Sequence, residues 1–248
     1  MNTQLVSIII PITHTNEHIL ETIESARTQT YKHMEILIGN ATGDRTTSMM
    51  LRAYAKRRKN IRIIKMKPAI DLYTICNALI HKAKGKFIAR LDPGIIAIKS
   101  RIEKQIQYFT DHAEAVALGG QQKQYKKYSR INSRNLPSNH DDIYALTFVM
   151  LSINPSSILV NTAKLPKYFR WYNQSLNQIQ EFDFLYRLMK HGKLANLDEV
   201  VILNKNTVPE FSFDALRQNI VKQLQVTIHA ITKYGLSPTG RTINQLFS

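Results

Sequence analysis

The spacing of apolar positions changes period repeatedly over the first ninety residues. Leu5-Val6-Ser7-Ile8-Ile9-Ile10 is a near-continuous β-branched run, the pattern of a strand covered on both faces, and Pro11 is expected to close it. From Glu17 the period lengthens, with Ile19, Ile23 and Ala26 on one helical face. Met34 to Ile38 reads as a second strand, closed by the turn-forming residues Gly39 to Asp44. Thr46 to Lys59 reads as a helix whose basic end, Lys56-Arg57-Arg58-Lys59, suits the negative pole of its dipole. Ile61 to Met66 is a third strand, Leu72 to Lys84 a helix with Gly85 as its C′ residue, and Lys86 to Leu91 a fourth strand ending at Asp92. This alternation predicts right-handed βαβ units and an α/β, Rossmann-like fold, with a mostly parallel central sheet flanked by helices. Such sheets bind ligands outside the carboxyl ends of their strands.

The remaining chain is more varied. Ser100-Arg101-Ile102-Glu103 has capping-box spacing and opens a helix carrying Ile102, Ile106 and Phe109. Ala115 to Leu118 reads as a strand. Residues 121–140 read as a long polar loop or irregular hairpin, with Lys123, Lys126, Lys127, Arg130 and Arg134 among Tyr125 and Tyr128. Ile143 to Leu151 reads as a helix, Asn154 to Ser157 as a turn and Ile158 to Val160 as a short strand. A helix over Ile179 to Lys190 buries Phe182, Leu185, Tyr186 and Met189, with Gly192 beyond it. Val200 to Leu203 is a late strand. Phe213 to Tyr234 is a C-terminal helix stopped by Gly235 and Pro238.

Composition bounds the function. A 248-residue chain that is 44% hydrophobic can build one sizeable core. Cys76 is the single cysteine, so no intrachain disulfide exists. No long apolar segment follows the N-terminus, and a cytoplasmic protein is expected. The net charge of +16 suits phosphorylated ligands or an anionic membrane surface, and it is equally compatible with a solvated lysine-rich face. Basic residues interleaved with tyrosine also suit single-stranded nucleic acid, although a solvated loop explains the pattern as well.

Several stretches together resemble the family 2 glycosyltransferases, of the GT-A fold. They are Val6 to Pro11, Ile23 to Ala26 with Gln29-Thr30-Tyr31, Met34 to Ile38, Asn77 with Ala83 to Asp92, Ser100 to Gln105, Gln180 to Leu188, and Lys193 to Leu197. The order and spacing of these pieces over residues 4 to 205 carry the resemblance. It implies a glycosyltransferase domain over 1–210, with a nucleotide-binding half at 1–98 and an acceptor-side half at 99–210, then a C-terminal helix and tail at 211–248. It implies a nucleotide-diphosphate sugar as donor, a glycan, lipid-linked or other hydroxyl acceptor, inversion at the transferred centre, and Mn2+ or Mg2+ at the diphosphate.

The departures from the family pattern fall on its three acidic motifs. The paired acids after the second strand become Gly39-Asn40, and the Asn40 carboxamide has the groups to contact a nucleobase. The metal motif becomes Asp92-Pro93-Gly94-Ile95. Asp92 is retained, but Gly94 has no side chain to ligate an ion, which argues against a tight divalent site. Arg90, Lys65, Lys67 and Lys99 are candidate replacement cations. The resemblance places Glu181 at the general base, on a stem one methylene longer than the family's Asp. Glu181 is equally explained as an acid in the first turn of a helix. Asp183 is expected to pair with Arg187. Pro11, Thr13 and His14 lie where the family meets the nucleotide. Three functions remain open: an active transferase, a degenerate member that binds a nucleotide or partner without transfer, and a basic module for nucleic acid or anionic membrane.

Overall fold

Each apolar run of the first ninety residues becomes a strand, and each amphipathic stretch a helix. The computed structural model describes residues 4–125, 135–206 and 213–239. In chain order the first elements are β1 (Val6–Ile12), α1 (Ile19–Arg27), β2 (Met34–Asn40), α2 (Arg45–Ala55), β3 (Ile61–Lys65), α3 (Leu72–Lys82) and β4 (Phe87–Arg90). There follow β5 (Ile95–Ala97), α4 (Arg101–Asp111), β6 (Ala115–Gln124), α5 (His140–Thr147), β7 (Leu159–Asn161), α6 (Gln180–Met189), β8 (Lys193–Asn204) and α7 (Phe213–Tyr234). The described strands form one eight-stranded sheet in the order β3-β2-β1-β4-β7-β6-β8-β5. The first four strands, in the order β3, β2, β1 and β4, are parallel neighbours. β7 is antiparallel to β4 and β6, β8 is parallel to β6, and β5 returns antiparallel to β8.

Burial follows the period. All seven residues of β1 are buried, and Ile8 and Ile10 pack into one core layer while Ile9 packs into the other. That split is the strand period of two with both faces covered. α7 closes the molecule against α6, where Val226 and Ala230 meet Phe182 and Tyr186. Asp183 lies beneath this contact, accepting from Arg187 Nε at 2.9 Å, from His229 Nε2 at 2.8 Å and from the Tyr234 hydroxyl. The expected Asp183–Arg187 pair is present and is part of the joint between the two helices.

Several boundaries differ from the sequence reading, each for a physical reason. Pro11 does not end β1: it lies opposite Gly39, and the strand runs on to Ile12. Gly39 and Asn40 are not loop but the last residues of β2, paired with Pro11 and Ile12 on one side and Ile64 and Lys65 on the other. Gly85 is not a helix C′ residue, since α3 ends at Lys82; a Cβ on Gly85 would lie 2.6 Å from the Ser7 amide nitrogen, so the glycine permits close approach to β1. Ser100 makes no side-chain cap. Glu103 instead accepts from the Thr30 hydroxyl at 2.7 Å, a tertiary contact that replaces the local box. Residues 121–124 extend β6 rather than begin a loop, and β8 covers the whole of Lys193–Asn204 rather than Val200 to Leu203. The short β5 was not expected. α5 begins at His140, capped by Asn139, and stops at Thr147. Lys126, Lys127, Tyr128, Arg130 and Arg134 of the expected basic loop lie outside the described residues.

Candidate active site

The carboxyl ends of β1, β2, β3 and β4 bring the nucleotide-side candidates to one edge. Register sets Ile12 beside Asn40 and Asn40 beside Lys65. Pro11 is buried in β1, while Thr13 and His14 follow in the bend beyond it, their Oγ1 and Nδ1 atoms 2.9 Å apart. Asn40 is 6% exposed and already committed to its own loop. Its Oδ1 accepts from the Thr42 amide at 3.1 Å and the Thr42 hydroxyl at 2.8 Å, and its Nδ2 donates to Ser48 Oγ at 3.0 Å. One amide hydrogen remains for a ligand. Lys65 is exposed at the end of β3 and Lys67 just past it, and Lys99 lies in the turn before α4.

Arg90 is the centre of the edge. Its side chain is 4% exposed and forks onto Asp92, Nε to Oδ1 at 2.8 Å and Nη2 to Oδ2 at 2.9 Å. Its Nη1 donates to Glu181 Oε1 at 3.1 Å. One guanidinium therefore joins the acid just past β4 to the acid in the first turn of α6, Asp92 and Glu181, residues 89 positions apart in the chain. Ser156 Oγ donates to Asp92 Oδ2 at 2.6 Å, completing three donors on that carboxylate. Burial works against the Arg90 charge, and the groups around it, the Asp92 carboxylate first and Glu181 among the others, together more than offset it, so the guanidinium is held above its ordinary value.

Two tyrosines wall this hub. The Arg90 guanidinium carbon lies 6.0 Å from the Tyr73 ring centre and 5.9 Å from that of Tyr172, and the two rings are 5.2 Å apart. Burial, followed by the Glu181 charge, pushes the Tyr73 phenol upward, and burial does the same at Tyr172, so both stay neutral donors. Asn77, part of the family-like pattern, has a clear task here: its carboxamide brackets Tyr172 through Nδ2 to the carbonyl at 2.9 Å and Oδ1 from the amide at 3.0 Å. Beneath, Arg101 is 1% exposed and donates to the Arg90 and Ile158 carbonyls at 3.1 and 3.3 Å. Burial pulls it down to about 9, so it is still charged at neutral pH. Tyr73, Tyr172, Ser156 and Arg101 were missed as site residues. Ser156 and Arg101 gave only turn and helix signals, and Tyr73 the signal of an aromatic one residue into a helix.

The metal motif has been rebuilt. Gly94 has φ of +82°, and a Cβ there would stand 1.9 Å from Asn206 Oδ1. The Asn206 carboxamide thus occupies the volume of the missing acid. Asp92 retains its carboxylate, but all three of its donors come from the protein. Among the described residues no three His, Cys, Asp or Glu side chains converge as a metal site would require. The donor set does not fit a resident Mn2+ or Mg2+, hard ions that need several oxygen ligands.

The model of glycosyl transferase family 2 matches residues 7–177, more than half of the chain. The chain belongs to this family. Among curated relatives, an uncharacterized glycosyltransferase of Haemophilus influenzae is 25% identical over 210 residues, covering 81% of this chain and 65% of the relative. An amylovoran biosynthesis glycosyltransferase of Erwinia amylovora is 24% identical over 190 residues, covering 75% and 70%. The chain therefore spans 65% of the first relative's length. Among solved structures, a mannosyltransferase from Pyrobaculum calidifontis in complex with GDP-Man and Mn2+ superposes with a TM-score of 0.69 at 14% identity, covering 94% of this chain and 65% of that one. At that identity the likeness establishes the GT-A fold. No helix among the described residues is long and apolar enough to cross a membrane.

Proposed function

We propose that this chain transfers a sugar from a nucleotide-diphosphate sugar to a hydroxyl acceptor, in the assembly of a cell-surface glycan, with Glu181 as general base. The observation that carries this reading is the Arg90 junction. It holds the Glu181 carboxylate at 3.1 Å from the guanidinium that forks onto Asp92, so the base and the donor-side acid share one site. Glu181 is 19% exposed, open enough to meet an acceptor and sheltered enough to be held in place. Its longer stem is taken up by this clamp, which sets where the carboxylate stands. The nucleotide would lie along Pro11, Thr13, His14 and Asn40, with its ribose toward Asp92. A single carboxylate base deprotonating the acceptor hydroxyl for direct displacement of the nucleoside diphosphate favours inversion. The acceptor class, a glycan or a lipid-linked glycan, is supported by the amylovoran relative.

The experiment is release of UDP or GDP from a panel of nucleotide sugars supplied with glycan and lipid-linked acceptors. Glu181→Gln should lower kcat by about 100-fold or more, the contribution of a positioned base, while nucleotide affinity stays within about twofold. Equal turnover by parent and Glu181→Gln would rule out Glu181 as the base. Binding of every nucleotide sugar without release in any pairing would favour the degenerate reading, to which the replaced acids at Gly39 and Gly94 would then point.

A further inference from the structure

The replacement of the second metal-motif acid has a partner 112 residues along the chain. Asn206 reaches in from beyond β8 and places its carboxamide where a side chain on Gly94 would be. Every polar group of Asn206 is used. Nδ2 donates to the Pro93 carbonyl at 3.0 Å, and Oδ1 accepts from Asn16 Nδ2 at 3.0 Å. The backbone amide donates to Asn204 Oδ1 at 2.9 Å, and the carbonyl accepts from Gln124 Nε2 at 2.8 Å. The loop after β1, the loop after β4 and the ends of β6 and β8 are thereby tied at one neutral group. Gly94 is held too, its amide donating to Thr22 Oγ1 at 3.0 Å. A divalent cation in this place would draw loops together through carboxylates; here a carboxamide does so.

We infer that the donor edge of this chain takes its nucleoside diphosphate without a divalent cation, with Asn206 as the strut that stands in the place of the metal-ligating side chain. The inference rests on the donor-edge reading above. Its chemistry follows from the donor set. A hard cation needs carboxylate or carbonyl oxygens free to turn toward it. Three of the four lone-pair sites of the Asp92 carboxylate are taken by Arg90 and Ser156, and the Asn206 carbonyl oxygen is held by Asn16. Asp92 could offer an ion one lone pair at most, and any fuller coordination by its carboxylate would break the buried Arg90 fork, whose charge would then lack its nearest partner. Phosphate charge is left to the chain's own cations, among which Lys65 and Lys67 are exposed at this edge.

The test uses the full chain and two measurements. Uptake of Mn2+ is read from the spin resonance of the free ion, for the parent and for Asp92→Asn. Binding of UDP and of GDP is read by calorimetry in EDTA and again in Mn2+. Expected are the same Mn2+ titration for both proteins and nucleotide dissociation constants that agree within about twofold between the two media. Mn2+ uptake that disappears in Asp92→Asn, or nucleotide affinity raised about tenfold or more by Mn2+, overturns the inference. If neither nucleotide binds in either medium, the transferase reading fails, and the Mn2+ titration still decides this one. The strut is tested separately. Gly94→Asp should gain no Mn2+ uptake while Asn206 fills its space, and Gly94→Asp with Asn206→Ala should gain it. Uptake by Gly94→Asp alone would show that Asn206 is no obstacle. Should the paired variant fail to fold, the parent titrations stand by themselves.

Discussion

Replacing Arg90 with methionine tests the centre of the site. The substitution keeps most of the buried stem and removes the charge. In the parent, three charge-assisted hydrogen bonds join the guanidinium to Asp92 and Glu181. The guanidinium side chain is 4% exposed, while Asp92 is 24% and Glu181 19% exposed. Removing one partner of a buried pair costs about 3–5 kcal/mol, because the remaining charge is left desolvated and unpaired. Water reaches both carboxylates in part, and Ser156 still donates to Asp92, so the lower end of that range applies, about 3 kcal/mol. For a chain of this size each kcal/mol moves the midpoint by about 2–4 °C, which gives a drop of about 6–12 °C. Thermal melting followed by circular dichroism at pH 7 reads this directly. The control is Arg90→Met combined with Asp92→Asn and Glu181→Gln. If the cost is unpaired charge, the combined variant should melt above the single one, since replacing every member of a buried ionic cluster is often close to neutral. A single variant within about 2 °C of the parent, or a combined variant that melts lower still, would refute the reasoning. Arg90→Lys should fall between them, keeping the charge and losing the fork.

Two further outcomes follow from local geometry. A Cβ on Gly39 would lie 2.4 Å from Ile75 Cγ2 and 3.2 Å from Leu79 Cδ1, so Gly39→Ala should cost about 1–3 kcal/mol by overpacking, read as a lowered urea midpoint with unchanged slope. Glu24 is held down to about 2 from an ordinary 4.5, first by Arg27 and then by the Tyr54 hydroxyl. Its folded form is the more acidic, so its contribution is complete above about 4.5 and is lost as pH falls through about 2. Glu24→Gln should therefore flatten the acid limb of stability in that window, by a small amount because the carboxylate is 44% exposed. An unchanged limb would place the acid sensitivity elsewhere.

The first ninety residues were legible because their central strands are buried on both faces and their helices on one. Those two conditions write the β-branched run of Val6 to Ile10 and the Ile19, Ile23, Ala26 stripe directly into the residue order. What failed to show was whatever depends on distant partners. β5 has only three residues, and it is a strand because β8 lies beside it. Ser100 and Glu103 have the spacing of a capping box, yet Thr30 takes the glutamate. The site follows the same division. Asp92 and Glu181, which meet at Arg90, were candidates from their place in the family pattern, whereas Ser156, Tyr172 and Asn206 reach the same edge through tertiary contacts that leave no periodic trace.

That division also changes what the replaced acids mean. Read along the chain, Gly39 and Gly94 look like two losses at once, as expected of a site decaying without selection on its chemistry. In space each is filled. Ile75 and Leu79 of α3 close over Gly39, and Asn206 closes over Gly94 with all of its polar groups satisfied. At these two positions no vacated volume is left open, whereas at Gln180, beside Glu181, the side-chain Oε1 is buried without a hydrogen-bond partner, which costs stability. The acids that remain are those with a buried cation between them, and Glu181 is one of the two. Fewer carboxylates at the donor edge also mean less repulsion toward a diphosphate, which reduces the need for a metal to screen it. At Gly39 and Gly94 the substitutions thus leave less negative charge at the edge and neutral packing in the vacated volumes, and on the proposed reading Glu181 is the carboxylate kept as base.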